Sequence, residues 1–240
     1  MALRIIVSYD DTDNDRDALA LGRLLAISGA ELSLAYIRHS EGGALEQKEA
    51  EELLARGAES VGAPEMPRHV VVNASTSAGL AELAEREQAD VIVFGSEYRT
   101  APGTVAPGRP AHQLLLGGPA AIAVAPAEFR SRPSVSIGTV GTIDEGDASA
   151  GQTAESLATT LGASVAEHGK GHCDFLVIGS RPESPQGKVT LSAASDYEME
   201  TSTCPVLVVP RGRAVEFAGA QGGKVAEPDG PADTEPAVTA

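Results

Sequence analysis

Acidic residues gather directly after the first apolar run of the chain, residues 4–9. Four aspartates follow that run: Asp10, Asp11, Asp13 and Asp15. Clustered carboxylates suit Mg²⁺ and the phosphoryl chemistry that Mg²⁺ supports. An EF-hand loop is excluded, because Arg16 stands where the loop needs glycine and Gly22 where it needs a closing glutamate. A Mg²⁺-dependent nucleotide-hydrolysing or phosphoryl-transfer enzyme remains one interpretation, and solvated loop acids are the other.

A second pattern of chemical interest follows a later apolar run, residues 91–94. The run ends in Gly95-Ser96, and a loop rich in proline and glycine leads to Gly108 and Arg109. Pro110 then suits the first turn of a helix. No Ser/His/Asp or Cys/His set, Walker loop or dinucleotide fingerprint has the required spacing. We therefore predict no catalytic residue.

The elements that must position these residues alternate between strand and helix. Short apolar runs at 4–9, 31–37, 69–73, 91–94 and 121–125 predict five strands. Leucines at helical spacing predict helices between them, including one from about 77 to 88. Such alternation indicates right-handed crossovers onto an open parallel sheet, an α/β fold.

A strand, loop, helix and strand unit occurs twice in the chain. Gly179 follows Gly95, and Pro210 follows Pro126, by the same 84 positions. A register kept over the whole unit predicts an internal duplication. The second copy is about fifty residues shorter before this unit. We expect it to be trimmed to a first strand, one helix at about 152–166 and the repeated unit, with a strand, a helix and a second strand deleted.

Composition excludes several classes of function. The formal net charge is −16 and the pI is about 4.6, so the phosphate backbone of a nucleic acid would be repelled. No apolar run approaches the ~20 residues of a membrane span, and the first residues lack the layout of a signal peptide. We therefore predict a cytoplasmic protein with neither nucleic acid nor membrane as its partner.

The two cysteines, Cys173 and Cys204, do not form a disulfide framework. Each precedes a strand of the second copy, so the two thiols lie close together if those strands are parallel neighbours. In a reducing compartment we expect two small thiols that do not form a disulfide.

Three of these stretches together resemble the universal stress protein family. They are the first strand ending in Asp10, the Gly95-Ser96 loop, and the closing run Cys204-Pro-Val-Leu-Val-Val-Pro210. The resemblance implies an adenine-nucleotide α-hydrolase-like three-layer sandwich with a five-stranded parallel sheet, here duplicated with the second copy trimmed. It also implies a stress-response regulatory or binding protein rather than an enzyme.

Many members of that family bind ATP through Gly-x2-Gly-x9-Gly followed by Ser or Thr. Here Gly95 and Gly108 match the first and last glycine, but Tyr98 replaces the second and Arg109 the hydroxyl residue. The resemblance therefore implies at most weak ATP binding in the first copy and none in the second. The positions that it implies for the nucleotide are Asp10, Ile37, Gly95, Ser96, Gly108 and Arg109.

The predicted organisation has three parts. Residues 1–128 form a complete domain, residues 129–213 form the shortened copy, and residues 214–240, rich in Gly, Ala, Pro and acids, are predicted to be a disordered tail. In the family the last strand commonly pairs at the dimer interface. We therefore expect residues 121–125 and 206–209 to meet within the chain as a pseudo-dimer, with a homodimer as a further option.

Overall fold

Nine strands form one sheet in the computed structural model, which describes residues 2–40, 43–132, 136–167 and 172–217. Their order is β3-β2-β1-β4-β5-β9-β8-β6-β7. The strands are β1 (Arg4–Ser8), β2 (Glu31–Arg38), β3 (Arg68–Val72), β4 (Val91–Gly95), β5 (Ala121–Ala125), β6 (Thr139–Ile143), β7 (Ser164–Glu167), β8 (Phe175–Ile178) and β9 (Val206–Val208). The helices are α1 (Asp13–Leu25), α2 (Ala44–Ser60), α3 (Thr76–Glu87), α4 (Arg109–Leu114), α5 (Ser149–Leu161) and α6 (Ala193–Glu200).

The sheet is buried on both faces, which explains the continuous apolar runs of its inner strands. Along β1, Ile5 and Val7 join the apolar cluster on one face and Ile6 joins the cluster on the other. Along β4, Val93 and Ile92 divide in the same way. Because strand side chains alternate between faces, a strand covered by helices on both sides has no polar position to offer. The predicted open, mostly parallel α/β sheet is confirmed.

The first five strands and four helices follow the predicted order. In this half β1 pairs with β2 and β4, β2 with β3, and β4 with β5, all in parallel. The carboxyl ends of β1, β2 and β4 therefore lie side by side at one edge of the sheet, where ligand crevices form in open parallel sheets.

The two halves of the sheet meet along one antiparallel pair of strands, β5 and β9. Ala123 lies opposite Leu207, and Val124 lies opposite Val206, with all four side chains fully buried. The sequence analysis places the same two strands opposite each other. Pairing them inside one chain removes two exposed apolar edges that would otherwise invite association.

The second half contains one more strand than predicted. β7 pairs in parallel with β6, with Val140 opposite Val165. The sequence pattern conceals β7 because it is a four-residue edge strand without a buried apolar run, and Val165 is 40% exposed. The expected deletion of two strands and a helix is therefore wrong. Among the described residues, the second half lacks the helix, strand and helix that correspond to α2, β3 and α3 of the first half.

The start of the predicted disordered tail is also corrected. Val215 and Phe217 are 3% and 1% exposed. Their backbone amides donate to the hydroxyls of Thr153 (2.9 Å) and Ser156 (2.8 Å) on α5. Two apolar side chains at alternate positions supply enough burial to fix residues 214–217 against the helix. The remainder of the predicted tail, 218–240, lies outside the described residues.

The aspartates that precede β4 and β8 have the same role in the two halves. Asp90 accepts the backbone amide of Arg4 (3.0 Å) and returns its own amide to the Arg4 carbonyl (2.9 Å). Asp174 does the same with Thr139, at 3.0 and 2.9 Å. The first pair joins the start of β4 to the start of β1, and the second joins the start of β8 to the start of β6.

No helix in the described ranges is long and apolar enough to cross a membrane.

Candidate functional site

The structure brings Asp10, Ile37 and Gly95 to the same edge of the sheet. Asp10 follows β1, Ile37 lies near the end of β2, and Gly95 ends β4. The amide of Tyr9 donates to the carbonyl of Ala35 (2.9 Å), and Ile37 lies two residues beyond this bond. Ile37 is 5% exposed. Because its side chain is buried, a ligand at this edge would contact the backbone of Ile37.

Asp10 is an exposed acid at this edge. Its backbone amide donates to Oδ2 of Asp15 (3.0 Å). Burial of part of its carboxyl raises the pKa of Asp10, the negative charge of Asp15 adds to this, and the nearby His39 acts in the opposite direction. His39 lies just after β2.

Asp11 is held by contacts within the protein. Its carboxylate accepts the hydroxyl of Tyr9 (3.0 Å), pairs with Arg16 (3.1 Å) and lies 3.6 Å from the guanidinium of Arg56. Although partial burial opposes it, hydrogen bonds from Arg16 and Tyr9 lower the pKa of Asp11. The pKa of Tyr9 is raised to about 12, first because its ring is buried and second because its hydroxyl donates to the negatively charged Asp11.

Asp15 and Asp13 have structural partners too. Asp15 closes a capping box at the start of α1, where its side chain accepts the amide (3.1 Å) and hydroxyl (2.6 Å) of Thr12. Asp13 pairs with Arg130 at 2.8 Å. In the described ranges no group of three or more His, Cys, Asp or Glu side chains is placed to hold a metal ion. Asp11, Asp13 and Asp15 thus each have a hydrogen-bond or ion-pair partner within the protein, at the start of α1 or beside it.

Gly95 is required by close packing at the carboxyl edge. A Cβ atom built on Gly95 would overlap with the carbonyl oxygen of Asn14 and would stand 2.5 Å from its carbonyl carbon. At Gly179, the corresponding residue after β8, the nearest atom is the amide nitrogen of Glu145 at 3.2 Å. In the first half, glycine thus allows the first turn of α1 to rest directly on the end of β4. Contact between Gly95 and a nucleotide stays a prediction.

Ser96 is buried, 2% exposed, and its hydroxyl is engaged within the protein. The hydroxyl donates to the carbonyl of Ala125 at the end of β5 (2.7 Å) and accepts the amide of Ala106 (3.1 Å). It therefore fastens the loop before Gly108 to the sheet.

Ser180 repeats this arrangement in the second half. Its hydroxyl donates to the carbonyl of Val209 (2.7 Å) and accepts the amide of Thr190 (3.1 Å). The acceptor follows the serine by 29 positions and the donor by 10 in both halves. The Gly-Ser pair after each strand is thus explained by loop anchoring as well as by any contact with a ligand.

We expect Ser96→Ala and Ser180→Ala each to lower the free energy of unfolding by about 1–3 kcal/mol. Each substitution removes the hydroxyl that bonds one backbone amide and one backbone carbonyl inside the protein. Urea unfolding followed by circular dichroism measures this. Thr159→Ala is the control, since its exposed hydroxyl bonds only within its own helix (2.8 Å to the Glu155 carbonyl) and should cost almost nothing. If the serine variants unfold at the same urea concentration as Thr159→Ala, the anchoring role is wrong.

Gly108 and Arg109 begin the short helix α4. Gly108 is its N-cap residue, and a Cβ atom there would meet only Pro110, at 3.9 Å. Neither packing nor the backbone angle, φ −66°, requires glycine at this position. Arg109 is exposed and lines a cavity of about 320 Å³ between α4, the end of β2 and the start of α3. The polar residues lining this cavity, here called the basic cavity, are His39, Ser75, Thr76, Ser77, Arg109 and Gln113.

The basic cavity has the chemistry of an anion site. Helix α3 begins at its wall, with Ser75 as N-cap accepting the amide of Ala78 (3.4 Å), so the positive end of the helix dipole lies at the cavity. His39 Nε2 lies 3.0 Å from the hydroxyl of Thr76. Arg109 adds a permanent positive charge from the opposite side. His39 and the three hydroxyl residues are not among the residues predicted from the sequence. The run Ser75-Thr76-Ser77 directly after β3 is the helix-start signal that points to them.

The corresponding edge of the second half is acidic. A larger cavity, about 670 Å³, opens beyond β6 and β7. Its acidic lining residues are Asp144, Glu145, Glu167 and Glu198. Glu145 accepts the hydroxyls of Ser192 (2.6 Å) and Ser195. Four carboxylates around one opening repel phosphate, so volume alone does not make this the nucleotide site.

Comparisons with solved structures decide the fold. A universal stress protein from Archaeoglobus fulgidus DSM 4304 matches 87% of this chain over 98% of its own length, with a TM-score of 0.63 and 15% identity. A putative universal stress protein from Pseudomonas aeruginosa UCBPP-PA14 matches 87% of this chain over 93% of its own, with a TM-score of 0.59 and 14% identity. The chain has the universal stress protein fold. No protein-family model and no curated protein matches the sequence.

Within this universal stress protein fold, Tyr98 and Arg109 stand where the ATP motif of the family has small residues. The ring of Tyr98 is 68% exposed, and the guanidinium of Arg99 lies 5.0 Å from its centroid. In the second half, Pro182 and Ser192 occupy motif positions, and Ser192 caps α6 by accepting the amide of Ser195 (3.1 Å). The departures from the motif thus lie on the surface or at a helix start.

Proposed function

We propose that this chain is a universal stress protein, a regulatory or binding protein of the stress response that binds an adenine nucleotide weakly in its first half. The observation that carries the proposal is the basic cavity at the carboxyl edge, where Arg109, His39 and the start of α3 converge. The phosphates would enter this cavity, and Asp10 and the backbone of Ile37 would hold the base. Weak binding follows from the absence of the second glycine of the motif.

Charge distribution supports binding in the first half alone. The chain carries a formal charge of −16, so a site for a polyanionic nucleotide has to be locally basic. The basic cavity fulfils this condition, whereas the cavity of about 670 Å³ in the second half presents four carboxylates. Pro182 also lacks the amide that a phosphate loop would use there.

We further propose that the chain is a tandem member whose second half is a shortened copy. The equal spacings at Ser96 and Ser180 and the matching bonds of Asp90 and Asp174 support it. In this proposal residues 1–128 form the complete copy, residues 129–213 the short one, and the β5–β9 pair takes the place of a dimer interface. The protein acts by binding and has no catalytic centre of its own.

Titration calorimetry with ATP, with and without Mg²⁺, tests the nucleotide site. We expect measurable binding to the wild-type chain and about a tenfold loss of affinity in Arg109→Ala, the worth of one charge-assisted hydrogen bond. Arg23→Ala removes the same charge from an exposed position on α1 and should leave the affinity unchanged. No binding by the wild-type chain, or equal affinities in the two variants, would contradict the proposal.

A further inference from the structure

The two cysteines of the chain lie side by side. Cys173 and Cys204 come just before β8 and β9, which are parallel neighbours with Leu176 opposite Val206. Their sulfur atoms are 3.7 Å apart, and neither cysteine is in a disulfide. A disulfide needs an S–S distance of about 2 Å, so the two side chains must approach each other further before they can be joined.

The two sulfurs differ in access to solvent. Cys204 is 5% exposed, whereas Cys173 is partly exposed at the end of the sheet. The hydrogen bond with Cys173 and burial both raise the pKa of Cys204. Cys204 therefore keeps its proton, and Cys173 is the sulfur that a dissolved oxidant meets first.

The surroundings leave room for Cys173 and hold Cys204 in place. A Cβ atom on Gly141 would stand 3.1 Å from the sulfur of Cys173, so the glycine provides the space that this side chain needs. The turn that carries Cys204 is tied to the first half of the chain. There Arg132 donates to the carbonyl of Thr203 at 2.9 Å. Cys204 is thus fixed beside Cys173, and a reaction between them is intramolecular.

We propose that Cys173 and Cys204 form a peroxide-sensitive site that closes to an intramolecular disulfide. The Cys173 thiolate attacks one oxygen of a hydroperoxide, the O–O bond breaks, and hydroxide or alkoxide leaves, which gives a sulfenic acid. The Cys204 sulfur then attacks the Cys173 sulfur. The S–O bond breaks, and water leaves with the proton of Cys204. The two sulfurs together lose two electrons, and the hydroperoxide takes them up.

Intact-mass spectrometry after treatment of the full chain with hydrogen peroxide tests the site. We expect the wild-type chain to lose the mass of two hydrogen atoms and both alkylatable thiols, and a reducing agent to restore them. In Cys204→Ala the chain contains no second thiol that could close a disulfide, so dimedone should add once, at Cys173. In Cys173→Ala oxidation should slow by at least about tenfold, since only the buried thiol remains.

Alkylation of the untreated proteins under native and denaturing conditions serves as the control, because it reports whether each variant keeps its remaining thiol as accessible as in the wild-type chain. The proposal is overturned if peroxide converts the wild-type chain to sulfinic acid or to disulfide-linked dimers without the internal bridge. Dimedone labelling of Cys204 in a folded Cys173→Ala chain as fast as the labelling of Cys173 in Cys204→Ala would overturn the assigned order of attack.

Discussion

Gly95→Ala is expected to lower the free energy of unfolding by about 3 kcal/mol or more, the upper range for overpacking a tight site. The added methyl group would overlap with the backbone carbonyl of Asn14, and backbone in the first turn of α1 cannot rotate away as a side chain could. Relief would require α1 to move off the end of β4, where much of the first-half core is buried. Chemical unfolding of the purified variant, or its loss from the soluble fraction, measures the effect.

Gly108→Ala is the matched control for Gly95→Ala. A Cβ atom there meets only Pro110, at 3.9 Å, and the backbone angle already suits alanine. We expect a change in unfolding free energy below about 1 kcal/mol, the loss of a favourable N-cap residue. If the two alanine variants prove equally stable, the first turn of α1 does not pack as closely against Gly95 as the structure shows.

Asp17→Ala is expected to lower the free energy of unfolding by about 3 kcal/mol. Asp17 is 3% exposed on α1, and its two carboxylate oxygens accept the backbone amides of Glu128 and Arg130, each at 2.9 Å. The Arg130 guanidinium lies 3.3 Å from the same carboxylate. Removing the acid leaves two amides without their acceptor and takes one of two carboxylate partners from Arg130, and hydrogen bonds to a charged group are the stronger ones. Denaturant unfolding with fitted slopes measures the loss.

Asp13→Ala separates this role from simple charge removal. Asp13 also contacts Arg130, at 2.8 Å, but its side chain is 74% exposed. An exposed pair of this kind contributes at most about 1 kcal/mol. A different result would be that Asp13→Ala lowers the unfolding free energy as much as Asp17→Ala does. That result would show that negative charge near Arg130, and not the two hydrogen bonds from backbone amides to Asp17, stabilises the contact of α1 with residues 128–130.

Much of the fold could be predicted because the spacing of apolar residues along the chain indicates its strands and helices. The runs at 91–94 and 121–125 are apolar at every position, which is the pattern of a strand covered on both faces. The missed strand β7 shows the limit of this reasoning. At the open edge of a sheet the backbone pairing remains, but the burial that marks a strand in the sequence is lost.

The candidate site was predictable only in part. Asp10, Ile37 and Gly95 lie at the carboxyl ends of three parallel strands that are neighbours in the sheet, so the strand order brings them to one edge. The basic cavity joins His39 to Arg109 across seventy positions of sequence, and no local pattern links them. For Ser96 the sequence predicts a contact with the nucleotide, which stays a prediction, and its bonds to Ala125 and Ala106 are long-range contacts that spacing does not specify.

The sequence by itself determined the α/β architecture with its mostly parallel sheet, because burial on one or both faces dictates residue type along each element. Only the tertiary structure decided what the aspartates do, why Gly95 must be glycine, and which edge is basic. These depend on which distant side chains and carbonyls packing brings within 3–4 Å. A contact at that range is set by the three-dimensional arrangement and leaves no period in the chain.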